Sequence, residues 1–261
     1  MTLNKPNFVI DMAIQTTKKS TRQKKFDSFD LTPGRILSGK YEVVSLLGGG
    51  WEGEVYRVRE VATGIERAAK LFFPHRNLKD KTSLIYAKKL YKLKDCPILI
   101  QYHTHETIKV KGTTASALIS EYVEGDLLSD YINKQRGKAL PIFQGIHLLH
   151  ALATGLENIH ALSEYHGDLH SGNIIVRRLG LSFDLKLIDL YHWGRFTRED
   201  RNNDICDLVY LFYEAIGGKK RYSSHPQEIK DICCGLKKSL ILKKFRTVSD
   251  LKYHLETQSW S

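Results

Sequence analysis

The sequence predicts an α+β protein in which a small antiparallel β lobe precedes a larger helical lobe. Three observations carry that prediction. Between residues 41 and 121, alternating segments rich in β-branched and aromatic residues recur. Beyond Gly125 the apolar residues move to a helical period of about 3.6. The length of 261 residues, 42% hydrophobic and 26% charged, suits two folded lobes sharing a cleft rather than a disordered or fibrous chain.

Residues 1–38 mix polar and basic side chains without periodicity and are predicted to form a flexible basic extension, whose Phe26, Phe29 and Leu31 could dock on the main body. The β lobe is placed at 39–123, with strands at 41–47, 55–59, 67–73, 108–111 and 117–121. One helix interrupts it at 83–93, where Ile85, Lys89, Leu90 and Leu93 fall near the helical period. The helical lobe is placed at 124–261. It opens with a long amphipathic helix at 143–162 and continues through strand-like runs at 173–177 and 185–188. Helices at 205–216, 229–239 and 248–256 complete it.

The longest apolar stretches, 97–100 and 187–190, fall far short of the roughly 18 residues that span a bilayer, so no membrane segment is expected. The run 8–14 carries Asp11 and leads into Lys18, Lys19 and Arg22 rather than a cleavage site, which argues against a secretory leader and for the cytoplasm. Cys96, Cys206, Cys233 and Cys234 have neither a disulfide framework nor metal-ligand spacing. The net charge of +11 concentrates between residues 217 and 246, where nine Lys and Arg face only Glu228 and Asp231. A solvated helical face is the favoured reading of that cluster, and a docking surface for an acidic protein or a nucleic acid is the alternative.

Gly48-Gly49-Gly50-Trp51-Glu52-Gly53-Glu54-Val55 fits a G-x-G-x-x-G-x-V loop between two predicted strands. Such a loop can fold its backbone N–H groups over phosphates, whereas a dinucleotide fingerprint needs a following helix that is missing here. Taken alone, the run also fits a simple glycine hairpin. Ala68-Ala69-Lys70 follows on a strand, 20 residues after Gly50. Downstream stands His166-Gly167-Asp168-Leu169-His170-Ser171-Gly172-Asn173, and Asp189 in Leu187-Ile188-Asp189-Leu190 comes 21 residues after Asp168.

In this order and spacing, the chain from residue 41 to about 255 resembles the protein kinase superfamily, with its H-R-D-L-x-x-x-N loop and D-F-G metal site. Among its members it is similar to compact bacterial Ser/Thr kinases of eukaryotic type. The resemblance implies a bilobal protein-kinase-like fold that binds ATP and magnesium. It makes Asp168 the catalytic carboxylate, Lys70 the phosphate-binding cation, and Asn173 and Asp189 the metal ligands. It also implies that Gly48, Gly50, Gly53 and Val55 cover the nucleotide, while backbone groups near Glu121 and Val123 read the adenine edge. Asp204 would brace the catalytic loop, and Arg246 matches a late structural arginine. The chemistry is coherent on its own terms, because phosphoryl transfer needs neutralised charge and in-line placement more than covalent help. Magnesium is a hard cation, and both Asn173 and Asp189 offer oxygen.

The chain departs from the family in four places. The helix expected to bring a glutamate to Lys70 reads TSLIYAKKLYKL, with Tyr86 or Ala87 near that place, so the lysine must take a carboxylate from elsewhere, such as Glu52 or Glu54, or bind nucleotide weakly. Gly167 replaces the arginine and His170 the usual lysine, wording similar to that of aminoglycoside and choline kinases; His170 either contacts the transferring phosphate or simply packs. Only 15 positions separate Asp189 from Asp204, with Thr197 as the main hydroxyl, so no activation-loop phosphoswitch is expected. Tyr191 replaces the glycine of D-F-G, which disfavours large flips of Asp189. Three functions follow: a Ser/Thr protein kinase, whose protein substrate would be acidic if the basic cluster is a docking surface, a small-molecule kinase, and a nucleotide-binding pseudokinase scaffold. The first is favoured because the 45 residues from Val123 to Asp168 leave no room for the extra helices of a small-molecule kinase.

Overall fold

The computed structural model describes residues 27–180, 182–191, 194 and 196–259. Six strands form one antiparallel sheet in the order β1-β2-β3-β4-β6-β5: β1 (Ile36–Leu37), β2 (Tyr41–Gly49), β3 (Gly53–Glu60), β4 (Glu66–Phe72), β5 (Tyr102–Val110) and β6 (Thr113–Glu121). Period-two alternation sorts their side chains. Tyr56 and Val58 of β3 and Ala69 and Leu71 of β4 fill an outer core, so Val55 and Lys70 turn to the opposite face, toward the helical lobe. Lys111 and Gly112, both at positive φ, close the β5–β6 hairpin in two residues. β5 begins six residues before the predicted strand because His103, Thr104, His105 and Glu106 hide its alternation.

Within the predicted extension over 1–38, the docking expected of Phe29 and Leu31 is found, and residues 29–37 pack with the β lobe. Phe29 is fully buried, Leu31 and Leu37 join the outer core, and Phe29 stacks on Phe73 with ring centroids 5.3 Å apart. An aromatic anchor of that size outweighs the polar composition around it. Residues 1–26, Phe26 among them, lie outside the described residues.

Helix α1 (Lys81–Lys92) packs Tyr86, Ala87 and Leu90 into the larger core beneath the sheet. Its N-terminal end is tied down by Asn77, which accepts from Ser83 N–H at 3.0 Å, while the Ser83 hydroxyl meets His105 Nε2 at 3.1 Å. The chain then passes through β7 (Asp126–Leu127), α2 (Leu128–Lys134) and α3 (Ile142–Ala161), whose Leu148, Leu149, Leu152, Leu156 and Ile159 are at most 1% exposed. A single Leu→Ala change on such a face costs about 2–5 kcal/mol. The hairpin β8 (Ile174–Leu179) and β9 (Ser182–Leu187) pairs with β7 in a second, three-stranded sheet.

Five helices complete the lobe: α4 (Arg198–Ala215), α5 (Gly218–Arg221), α6 (Gln227–Cys233), α7 (Lys238–Lys244) and α8 (Val248–Thr257). α4 starts seven residues before its predicted start, because Thr197 and Asp200 form a capping box ahead of a polar first turn. The single helix predicted at 229–239 is two helices. Cys234, Gly235 and Leu236 take φ of 49°, 58° and 58°, which breaks the hydrogen-bond ladder after α6. The basic cluster is therefore spread over several elements, with Lys219, Lys220, Lys237, Lys238, Lys243, Lys244 and Arg246 all exposed. Among the described residues no helix is long and apolar enough to cross a membrane.

Candidate active site

A cleft of about 970 Å³ lies between the lobes. It brings together Gly48, Gly50, Gly53, Val55, Lys70, Glu121, Val123, Asp168, Asn173 and Asp189, which is every predicted site residue except His170. The loop between β2 and β3 forms its roof. Gly53 is demanded by packing, since a Cβ there would lie 1.8 Å from the Leu71 carbonyl oxygen. Cβ atoms at Gly48 and Gly50 would meet no protein atom within 4 Å, so nothing in the protein itself requires glycine at either position. At the loop tip Trp51 lies under the Arg76 guanidinium, 4.0 Å from its carbon to the ring centroid.

Lys70 Nζ donates to Asp189 Oδ1 at 2.7 Å and sits 3.2 Å from Glu52 Oε2. Burial works against the ammonium charge, but Asp189, Tyr86 and Glu52 outweigh it and hold the pKa above the ordinary lysine value. Of the two loop carboxylates, Glu52 is thus the partner. Glu54 points to the outer core, where it accepts from the Tyr56 hydroxyl at 2.5 Å, Phe29 N–H at 3.0 Å and the Ser28 hydroxyl at 2.9 Å. Tyr86 of α1 stands where the family places a glutamate, with Lys70 Nζ 5.0 Å from its ring centroid. Glu121 ties the two lobes together by accepting from Gln101 N–H and Lys186 Nζ, each at 2.8 Å.

The loop 166–173 is fixed from behind by Asp204, fully buried on α4. Its carboxylate accepts from His166 N–H and Gly167 N–H at 2.8 Å and lies 2.9 Å from His160 Nε2. His166 is buried and donates from Nε2 to the Ile188 carbonyl at 3.1 Å, while its Nδ1 accepts from Asp168 N–H at 3.3 Å. Burial pushes the His166 pKa below the ordinary histidine value. Gly167 has φ of +78°, and a Cβ there would lie 2.7 Å from Tyr165 Cε2 and from Tyr191 Cβ. No arginine fits that position.

Register explains how the metal-type oxygens meet. Ile174 pairs with Leu187 across the β8–β9 hairpin, and Ile188 N–H donates to the Asn173 carbonyl at 3.0 Å, so Asn173 and Asp189 emerge together at its open end. Asn173 Nδ2 donates to the Asp168 carboxylate at 3.0 Å and to its carbonyl at 2.9 Å, which leaves Oδ1 for a cation. Asp189 adopts φ of +54°, a sparsely populated conformation for a non-glycine residue and one typical of functional sites. Among the described residues no three His, Cys, Asp or Glu side chains form a self-contained metal cage. Magnesium commonly takes one or two carboxylates together with phosphate oxygens and water, and this donor set fits that use.

His170 stays outside the cleft lining, with Nδ1 accepting from Gly172 N–H at 3.0 Å and Nε2 3.7 Å from Asp168 Oδ2. Thr197 is committed as a helix cap, accepting from Asp200 N–H at 3.2 Å and donating to its carboxylate at 2.6 Å. Arg246 is exposed, and its backbone N–H donates to Asp250. Sequence reasoning did not assign Lys89, which is buried on α1 with Nζ donating to the Tyr165 carbonyl at 2.7 Å and to the Tyr191 carbonyl. The signal was a lysine on the apolar stripe of an amphipathic helix.

Comparison with known proteins agrees with this geometry. The family model of the protein kinase domain matches residues 41–233. The chain is 29% identical over 205 residues to cyclin-dependent kinase B2-2 of Arabidopsis thaliana, covering 76% of this chain and 64% of that protein. It is 27% identical over 180 residues to serine/threonine-protein kinase pkn2 of Myxococcus xanthus, covering 66% of this chain and 20% of that one. It thus spans less than two thirds of the length of these relatives. In fold it is similar to the Mycobacterium tuberculosis PknI kinase domain, with a TM-score of 0.63 at 17% identity over 88% of this chain and all of that one. Protein kinases in general use ATP and magnesium. On the match over residues 41–233, this chain belongs to the protein kinase domain family.

Proposed function

We propose that this chain transfers the γ-phosphoryl group of ATP, with magnesium, to a serine or threonine hydroxyl of a protein. The observation that carries the proposal is that Lys70, the pair Asp168 and Asn173, and Asp189, from three separate stretches of the chain, line one cleft under a glycine-rich hairpin. The open space at Gly48 and Gly50 fits a loop whose glycines let phosphates approach its backbone. Lys70 exchanges its carboxylate partners for phosphate oxygens. Asp168 is exposed and oriented by Asn173, so it can align the acceptor hydroxyl and take its proton as the new oxygen–phosphorus bond forms and ADP leaves. When bound, magnesium would be held by Asn173 Oδ1 and Asp189 and would neutralise charge on the phosphates. His170, 3.7 Å from Asp168, is placed to contact the phosphoryl group or the acceptor.

A protein acceptor is supported by the segment between Val123 and Asp168, where the described helices are only α2 and α3 and no inserted helix roofs the acceptor side. The names of the relatives point the same way. The exposed basic residues of the helical lobe favour an acidic protein. The test is transfer from labelled ATP with magnesium to protein in a cell extract, beside Asp168→Ala and Asp189→Ala. Each variant is expected to lose about 100-fold or more. Label confined to small molecules would reassign the substrate class, and nucleotide binding without transfer would make the chain a scaffold.

A further inference from the structure

We propose that Lys89 is a positioning residue that replaces the missing helix glutamate, holding α1, the catalytic loop and the Asp189 segment in the arrangement that transfers phosphate. This rests on the phosphoryl-transfer reading above. Its ground is the place of one side chain. Lys89 lies on the buried face of α1 with its side chain 7% exposed, beside Tyr86 and Leu90. Its Nζ donates to the carbonyl of Tyr165, three residues before Asp168, and to the carbonyl of Tyr191, two residues after Asp189. It also lies 4.1 Å from the Tyr165 ring centroid and 3.7 Å from Glu164 Oε2.

These contacts close a loop of dependence. Tyr191 N–H donates to the His166 carbonyl at 2.7 Å, so residue 191 is held from both sides, by His166 through its N–H and by Lys89 through its carbonyl. Tyr165 and Tyr191, whose ring centroids lie 6.2 Å apart, flank Gly167, where a Cβ would collide with both side chains. An ammonium with three donors suits two converging carbonyls and a carboxylate, while a glutamate there would meet two carbonyls it could not bond. The other end of α1 is fixed to β5 through Ser83 and His105. Swinging the helix away would strand a buried cation, the buried Tyr165 carbonyl and the part-buried Tyr191 carbonyl together, an expensive combination. α1 is thereby held in, where a helix linked only through a surface ion pair could move.

The test compares the full chain with Lys89→Met, Lys89→Arg and Lys92→Met. Lys92 is one turn on and pairs with the same Glu164 at 2.7 Å but is exposed, so it controls for lost charge. Three quantities are read: magnesium-dependent ADP release from ATP, Mg-ATP affinity by calorimetry, and amide exchange over 165–168 and 189–191. Lys89→Met is expected to lower kcat by about 30-fold with KM for ATP within about threefold, and to speed exchange at 189–191 by about tenfold. Lys89→Arg should recover most of both, and Lys92→Met should match the parent chain. Unchanged kcat and exchange in Lys89→Met would overturn the proposal, as would an equal loss in Lys92→Met. If Lys89→Met lacks a cooperative melting transition, Lys89→Gln is read in its place with the same expectations. If the parent chain neither releases ADP nor labels protein of the extract, the phosphoryl-transfer reading fails by itself, and exchange at 189–191 still decides whether Lys89 holds the segment.

Discussion

The front and the back of the 189–191 segment are each met by one lysine, half-buried Lys70 and buried Lys89, and the two are partnered in opposite ways. In front, Lys70 faces carboxylates, Asp189 at 2.7 Å and Glu52 at 3.2 Å, and its charge is reinforced. Behind, Lys89 faces two carbonyls, and burial drives its pKa below the ordinary lysine value despite Glu164 and Asp204 nearby. A carboxylate partner can be traded for a phosphate of like charge. A buried carbonyl cannot be released so easily, since leaving it unpaired costs about 1–3 kcal/mol. The front is thus built to exchange partners and the back to hold still, which is how a site with no helix glutamate keeps its geometry.

The most damaging change to the back is the one that restores the family residue, Gly167→Arg. A Cβ at 167 collides with two aromatic side chains, and the backbone sits at φ of +78°. Strain and overpacking together are expected to cost about 2–4 kcal/mol. A urea titration reads this directly. An unchanged midpoint would show that the Tyr165–Tyr191 packing yields, and that the back does not hold. Gly167→Ala, which keeps the strain and the first collision but not the long side chain, should lose a smaller part of the same amount.

The front was legible in the sequence because its chemistry resides in side chains at fixed spacings. Asp168, Asn173 and Asp189 are read from order alone, and the alternation of Ala69, Lys70 and Leu71 limits the lysine to one of two faces. What the sequence left open there was settled by packing. Glu52 and Glu54 were equal candidates for Lys70, and Glu54 is removed because it shares the core face with Tyr56 and Phe29. The back was illegible for a physical reason, since the partners of Lys89 are backbone carbonyls, which have no residue signature. The same holds for the break after α6, where Cys234 and Leu236 take left-handed conformations that their side chains do not announce. Phe29 was visible as a possible anchor, but its burial depends on a pocket made by residues far along the chain.

A second way to probe the back is pH. His166 is buried and neutral, donating to Ile188 and accepting from Asp168 N–H. Burial holds its folded pKa below the ordinary histidine value of about 6.5. Below pH 6.5 the unfolded chain therefore binds the proton that the folded chain refuses. The stability contributed is fully present above 6.5 and declines as pH falls toward the lowered folded value, with a slope of at most about 1.4 kcal/mol per pH unit. Urea midpoints from pH 7.5 to 5 should show that decline in the parent chain and a flatter one in His166→Gln. Parallel curves would mean that His166 is reached by solvent and that the loop is looser than its hydrogen bonds indicate.

The smallest expected effect tests whether the front really trades partners. Glu52 belongs to the loop that covers the phosphates, so it approaches Lys70 from the nucleotide's side, unlike a glutamate on α1. With no nucleotide present it takes the place of a phosphate on Lys70, and ATP must displace it. Glu52→Gln removes that competitor and a negative charge facing the phosphates, so KM for ATP is expected to fall by about threefold, under 1 kcal/mol, with kcat nearly unchanged. If Glu52 is instead a brace that aims Lys70, the same change raises KM, and the exchange of partners gives way to a fixed pair on both sides of Asp189. The sign of that shift in KM separates a lysine that changes partners from one that keeps them.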